Sequence, residues 1–353
     1  MKRFTGAVLA LAGLVGLSAC SASHQAADPN HLKVVATTTQ ICDYVKNIEK
    51  SGGADLDLTC LLAPNASAHD HEMTSQQMAA LGKADVLLVN GVDLEHFLDQ
   101  AVESSGFKGT MAVTSGKLSS APTKTTGKFQ VAEGSHKVDV APWPFAPEPG
   151  EEAEFEFDPH VWTSPRGAAQ QVRNIAEALD NAAGKGKVWQ ERTENYATQL
   201  EELDKWVSAS VGSVPREKRV LFTSHDAFGY FARDYDVKFV GAALSDFNAQ
   251  QDATAEHLNA GVQQVKDAKA SVIFAENSNN AKSIEAIGRA AGVRVITGED
   301  ALYGDSLGPA GTDGETYVGS ILHNVTNLVR AWGGTTADIP SSLQAHAPKE
   351  VVS

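Results

Sequence analysis

Short apolar runs bounded by Gly, Pro, Asn or Asp alternate with amphipathic stretches in two series along this chain. That alternation limits the possible folds more than any other feature. The first series places strands at 33–39, 56–62, 84–90 and 108–114, with helical patterns such as 40–50 and 94–104 between them. The second places strands at 219–224, 237–241, 270–275 and 293–297, separated by helical patterns at 227–234, 253–268 and 281–291. Branched, uniformly apolar strands that alternate with helices form parallel sheets covered on both faces. The expectation is an α/β protein of two lobes, each a four-stranded parallel sheet flanked by helices.

Between the series, 187–211 contains neither Gly nor Pro. Tyr196, Leu200, Leu203, Val207 and Val211 recur there at helical spacing, while Glu194, Glu201, Glu202 and Lys205 fall off that stripe. A helix of this length spans about 37 Å at 1.5 Å per residue, enough to run along both lobes as a rigid link. The resulting domains are 31–185, a linking helix at 186–213, and 214–333. Inside the first lobe, 117–157 reads as an irregular insertion rich in Ser, Thr, Gly and Pro. It ends in Glu148, Glu151, Glu152, Glu154 and Glu156. The tail at 334–353 carries Pro, Ser and Thr and reads as unordered.

The N-terminus reads as an export signal over 1–19, with Lys2 and Arg3 before a short apolar stretch. It closes on Leu17-Ser18-Ala19-Cys20, which resembles a lipobox. Cleavage there would leave Cys20 lipid-modified, with 20–30 as a tether to the membrane. An ordinary secretory signal is the alternative. Loss of Lys2 and Arg3 moves the formal charge by two units, from −15 to −17. A surface so acidic argues against nucleic acid as a partner. It is compatible with a cation ligand. Cys42 and Cys60 remain in an oxidising compartment, on a helix and the strand after it. A disulfide is the favoured reading and two buried thiols the alternative.

Four polar residues stand at strand ends or in turns: His69, His160, His225 and Asp305. Three imidazoles and a carboxylate suit a borderline divalent ion such as zinc or manganese. His71 competes with His69 in the same loop. Glu299 and Asp300 compete with Asp305, which could equally cap its loop. His160, in Asp158-Pro159-His160-Val161-Trp162, could be a capping or core histidine. Ser224, His225 and Asp226 are contiguous and so cannot form a nucleophile–base–orienter line, although Asp226 could cap the next helix or orient the ring. His71 and Glu276 are carried as supports of the centre or as substitute ligands.

Together these blocks resemble the substrate-binding lipoproteins of zinc and manganese ABC transporters. The resemblance rests on His69-Asp70-x-Glu72, on 84–91, on 158–162, on Thr223-Ser224-His225-Asp226-Ala227-Phe228, and on Asp305-Ser306-Leu307-Gly308 followed by Glu315-Thr316-Tyr317. It implies two four-stranded lobes joined by one long helix, with ligands at His69, His160, His225 and Asp305. The chain departs from the family where a Tyr-Glu-Pro is common after the first histidine and His71-Glu72-Met73 stands here. It also lacks a histidine-rich loop, His136 being the one histidine of the insertion.

The function this implies is an extracytoplasmic receptor, lipid-anchored and monomeric. It would pass Zn2+, with Mn2+ as the alternative, to a membrane permease driven by a cytoplasmic ATPase. No catalysis is expected, because four protein ligands leave no position for an activated water. A metal-dependent hydrolase and an adhesin-type lipoprotein with a structural metal are the competing classes.

Overall fold

The computed structural model describes residues 31–50, 55–67, 69, 71–92, 94–118, 129–143, 156–184, 186–244 and 254–349. The signal segment, Cys20, the tether and residues 148–154 of the acidic run lie outside the described residues.

Among the described residues two parallel sheets account for all the strands. The first contains β1 (Leu32–Ala36), β2 (Leu56–Cys60), β3 (Val86–Val89), β4 (Thr110–Val113) and β5 (Gln130–Glu133), in the order β2-β1-β3-β4-β5. The second contains β6 (Val220–Thr223), β7 (Lys238–Ala242), β8 (Val272–Phe274) and β9 (Arg294–Ile296), in the order β7-β6-β8-β9. Both sheets reverse direction of winding beside their first strand, so their carboxyl ends open a crevice where ligands collect in such folds.

The helices of the first lobe are α1 (Thr39–Lys50), α2 (Ser75–Leu81), α3 (Leu98–Ser105) and α4 (Pro165–Ala183). The long link is α5 (Val188–Gly212), followed by α6 (Gly229–Tyr235), α7 (Ala255–Asp267), α8 (Lys282–Ala291) and α9 (Tyr317–Ala331). Among the described residues no helix is long and apolar enough to cross a membrane.

Alternation within each strand explains how the two sheets share a core. Val34 and Ala36 face the same buried cluster as Leu221, Val272 and Phe274 of the second sheet, with α1, α4, α5 and α9 between them. Val35, Leu87 and Met111 line a separate cluster on the outer face of the first sheet. Val220, Phe222 and Ile273 do the same for the second. Every residue of the predicted α5 stripe is buried, and Trp189, Ala197 and Trp206 join it.

Two expectations are corrected. The first sheet has five strands rather than four, and β5 comes from inside the segment read as irregular. Gln130-Val131-Ala132-Glu133 is half exposed and sits at the sheet edge, so it carries no continuous apolar run to mark it. The tail is also ordered, as far as residue 349. Trp206 Nε1 donates to Ala337 O at 3.0 Å and Gln199 Nε2 to Ser342 O at 2.7 Å, while Leu343 is fully buried. Side chains of α5 hold this segment through its backbone, which leaves no periodic signal in the segment itself.

Cys42 on α1 and Cys60 at the end of β2 are joined by a disulfide, with Cα atoms 5.8 Å apart. The bridge ties α1 to the strand that leads into the His69 loop. It closes a loop of sequence separation 18, worth about 3 kcal/mol of stability by constraint of the unfolded chain. Replacing both cysteines with serine should lower the unfolding free energy by about that amount. Urea denaturation followed by circular dichroism measures it, and a loss below about 0.5 kcal/mol would refute the assignment of a stabilising role.

Candidate metal centre

Each of the four chosen side chains reaches the crevice for a local reason. His69 lies on the loop after β2, and its backbone N–H donates to Ser67 Oγ at 3.2 Å. His225 follows β6 after one intervening residue, and Asp305 follows β9 and a short 3-10 turn. His160 precedes a single 3-10 turn, Val161–Thr163. Ser164 then caps α4 by accepting from Arg166 N, with Pro165 in the first helical turn.

The four converge. His69 Nε2 lies 3.0 Å from His160 Nε2, and His225 Nε2 lies 3.3 Å from the same atom. The Asp305 carboxylate lies 3.4 Å from His160 Nε2, 3.6 Å from His225 Nε2 and 3.7 Å from His69 Nε2. All four donor atoms fall within 4.8 Å of one another. A tetrahedral ion with zinc–nitrogen bonds places its donors about 3.3–3.4 Å apart. The observed spacings bracket that value. Two donors come from each lobe, so an ion here would contact both.

The surroundings orient the rings. His160 Nδ1 lies 2.8 Å from Asp158 Oδ1, which also accepts the His160 backbone N–H at 2.9 Å. A ring that donates Nδ1–H to a carboxylate presents its Nε2 lone pair to the centre. Gly229 makes room for Asp158, since a Cβ there would lie 2.2 Å from Asp158 Oδ2. Asp226 does not cap α6, which begins with no side-chain cap; its Oδ1 lies 3.2 Å from His225 Nδ1 instead.

Glu276 supports the centre from behind. Its Oε1 accepts the His225 backbone N–H at 2.8 Å, and it is not one of the four clustered donors. The space beside it exists because residue 304 is glycine, where a Cβ would meet Glu276 Oε2 at 2.1 Å. His71 also stays outside the quartet, edge-to-face against Phe97 with ring centroids 5.2 Å apart. Trp162 walls the site and donates from Nε1 to Gly304 O at 2.9 Å, which fixes the Asp305 loop against the first lobe. The role of Asp158 was missed at the level of sequence, although its position two before His160 was the available signal.

Burial holds His69 down at about 3 and His225 at about 4, so both are neutral. Burial also pulls His160 down, but its bonds to Asp158 and Asp305 outweigh that and raise it to about 10. Burial would raise Asp305, yet the surrounding imidazoles keep it well below the usual carboxylate range. The metal-free centre therefore holds one proton on His160, between three nitrogens and a carboxylate.

The family described as "Zinc-uptake complex component A periplasmic" matches residues 34–331. The chain belongs to that family. Among its relatives, the "Zinc-binding protein TroA" of Treponema pallidum (strain Nichols) is 32% identical over 333 residues, covering 94% of this chain and 98% of its own length. The "Manganese-binding lipoprotein MntA" of Bacillus subtilis (strain 168) is 29% identical over 303 residues, covering 85% and 89%. The solved structure of the periplasmic zinc-binding protein TroA from Treponema pallidum superposes with a TM-score of 0.67 at 30% identity, covering 86% of this chain and 99% of that one. Family membership extends over both lobes and all four clustered side chains.

A divalent ion entering the quartet must displace the His160 proton, because a metal binds the neutral ring. Affinity should fall about tenfold for each pH unit lost between about 10 and 4, and more steeply below that as His225 and then His69 protonate. Calorimetry in buffers of different ionisation enthalpy should count about one proton released per ion near neutral pH. A count near zero would refute this account.

Proposed function

We propose that this chain is an extracytoplasmic receptor that captures a divalent transition metal and delivers it to an ABC permease for uptake. The observation that carries the reading is the convergence of three imidazole nitrogens and one carboxylate, from both lobes, at tetrahedral spacing. His69, His160, His225 and Asp305 are the proposed ligands. Zinc is the favoured cargo and manganese the second, because a nitrogen-rich set suits zinc and the harder manganese prefers more oxygen. The names of relatives that bind zinc or manganese support both as candidates.

Four protein donors complete a tetrahedral shell, and a hydrolase would need one position left open for water. Capture and release fit that closed shell; turnover does not. In this reading Cys20 carries the lipid anchor, residues 1–19 are removed, and the mature chain acts as a monomer beside its permease and ATPase. The lobes at 31–185 and 214–333, joined through 186–213, are the proposed domains.

Metal analysis with competitive titration of the purified chain tests the centre. About one zinc ion per chain is expected, with affinity lowered at least a hundredfold in His160→Ala. Unchanged stoichiometry and affinity in that variant would overturn the site. Separately, Cys20→Ala should move the protein from the membrane to the soluble fraction of cells, and retention in the membrane would overturn the anchor.

A further inference from the structure

One amide at the rim of the crevice joins the loops behind three of the four clustered donors. Asn277 Nδ2 donates to Asn65 Oδ1 at 2.8 Å, across the gap between the lobes. The same nitrogen donates to Ser306 O at 3.0 Å, next to Asp305. Asn65 lies four residues before His69. Asn277 follows Glu276, whose carboxylate holds the backbone of His225 at 2.8 Å.

The orientation of this amide is determined by its partners. Ser306 O can only accept, so the atom facing it must be the nitrogen. That nitrogen then requires an oxygen from Asn65, whose backbone N–H in turn donates to Leu307 O at 3.0 Å. Asn65 adopts φ 63°, in the left-handed region that asparagine tolerates better than most residues. Asn277 is also anchored through its own N–H, which donates to Leu302 O at 2.9 Å. Each partner is thus fixed independently of the bond between the two side chains.

We propose that Asn277 and Asn65 form a clasp that sets how slowly the bound metal leaves, a positioning role that rests on the metal-receptor reading above. An ion held by donors from both lobes escapes only when their loops separate. The clasp resists that separation without touching the ion. The clasp is closed in the metal-free structure as well, so its loss can ease entry but not slow it, and release is the rate that must change. Of the two bonds made by Asn277 Nδ2, the one to Asn65 spans the lobes, and its loss corresponds to about fivefold faster release.

The test is stopped-flow zinc release from the full chain into excess chelator, paired with association kinetics and the melting temperature of the metal-free protein. Asn277→Ala should release zinc about fivefold faster, with association no slower and metal-free melting lowered by a few degrees at most. Asn65→Gly, chosen because glycine accepts the left-handed backbone, should also release faster. The double variant should fall short of the product of the two effects, since their mutual bond is lost only once. Release at the original rate in Asn277→Ala would overturn the clasp, as would slower association. These outcomes stand apart from failure of the receptor reading, in which the original chain holds no ion or keeps it after His160→Ala.

Discussion

Four buried donor atoms face one another across the seam between two sheets, and the rest of the molecule is arranged around keeping them there. Donors so placed repel one another unless something positive lies between them. Leaving them buried and unmatched would cost several kcal/mol in total. In the metal-free state the imidazolium of His160 supplies the match, its Nδ1–H facing Asp158 and its Nε2–H facing Asp305. Because that proton and a divalent ion compete for one lone pair, the centre is already assembled before the ion arrives. Preassembly lowers the reorganisation needed for capture.

Such an arrangement demands that the lobes not drift apart, and the packing provides for this. The buried cluster that contains Val34 of the first sheet also contains Phe274 of the second, with Leu200, Leu203 and Val207 of α5 between them. A shared core resists the wide hinge that two separately cored domains would permit. The ordered tail adds to this, since Trp206 and Gln199 of α5 hold its backbone while Lys349 Nζ reaches Gly311 O at 3.0 Å beyond the Asp305 loop. The segments outside this shared core include the loops at the carboxyl ends of the strands. These are the loops that carry the donors and the Asn65–Asn277 contact.

The parts legible in the sequence were those with a repeating signal or a chemically unusual residue. Buried parallel strands announce themselves through uninterrupted branched residues, and α5 through its stripe. His160 and His225 stood out because each interrupts an otherwise structural motif at a strand or helix boundary. Three kinds of feature lacked any such signal. β5 is polar because an edge strand has one side to bury, the tail is held by side chains from elsewhere, and Asn277 is one of three asparagines within four residues. The choice between His69 and His71 was likewise open, since both stand in one loop. In the structure the His71 ring is turned to Phe97 and the His69 ring to the quartet, which supports His69 as the proposed ligand.

In the proposed receptor, selectivity would follow from how little the centre can adjust. His160 is fixed by Asp158, the His225 backbone by Glu276, and the Asp305 loop by Trp162 and by Thr39 Oγ1, which accepts from Leu307 N at 2.9 Å. An ion that prefers six oxygens would need these supports to yield and admit water. A carboxylate in place of His225 would shift the balance toward manganese, by replacing a borderline nitrogen with a hard oxygen. With the nitrogen retained, the same rigidity that assembles the site in advance also holds its coordination number low. Low coordination with three nitrogens favours zinc over manganese. In the proposed site, the residues that hold the ligands in place would thus carry the preference together with the quartet.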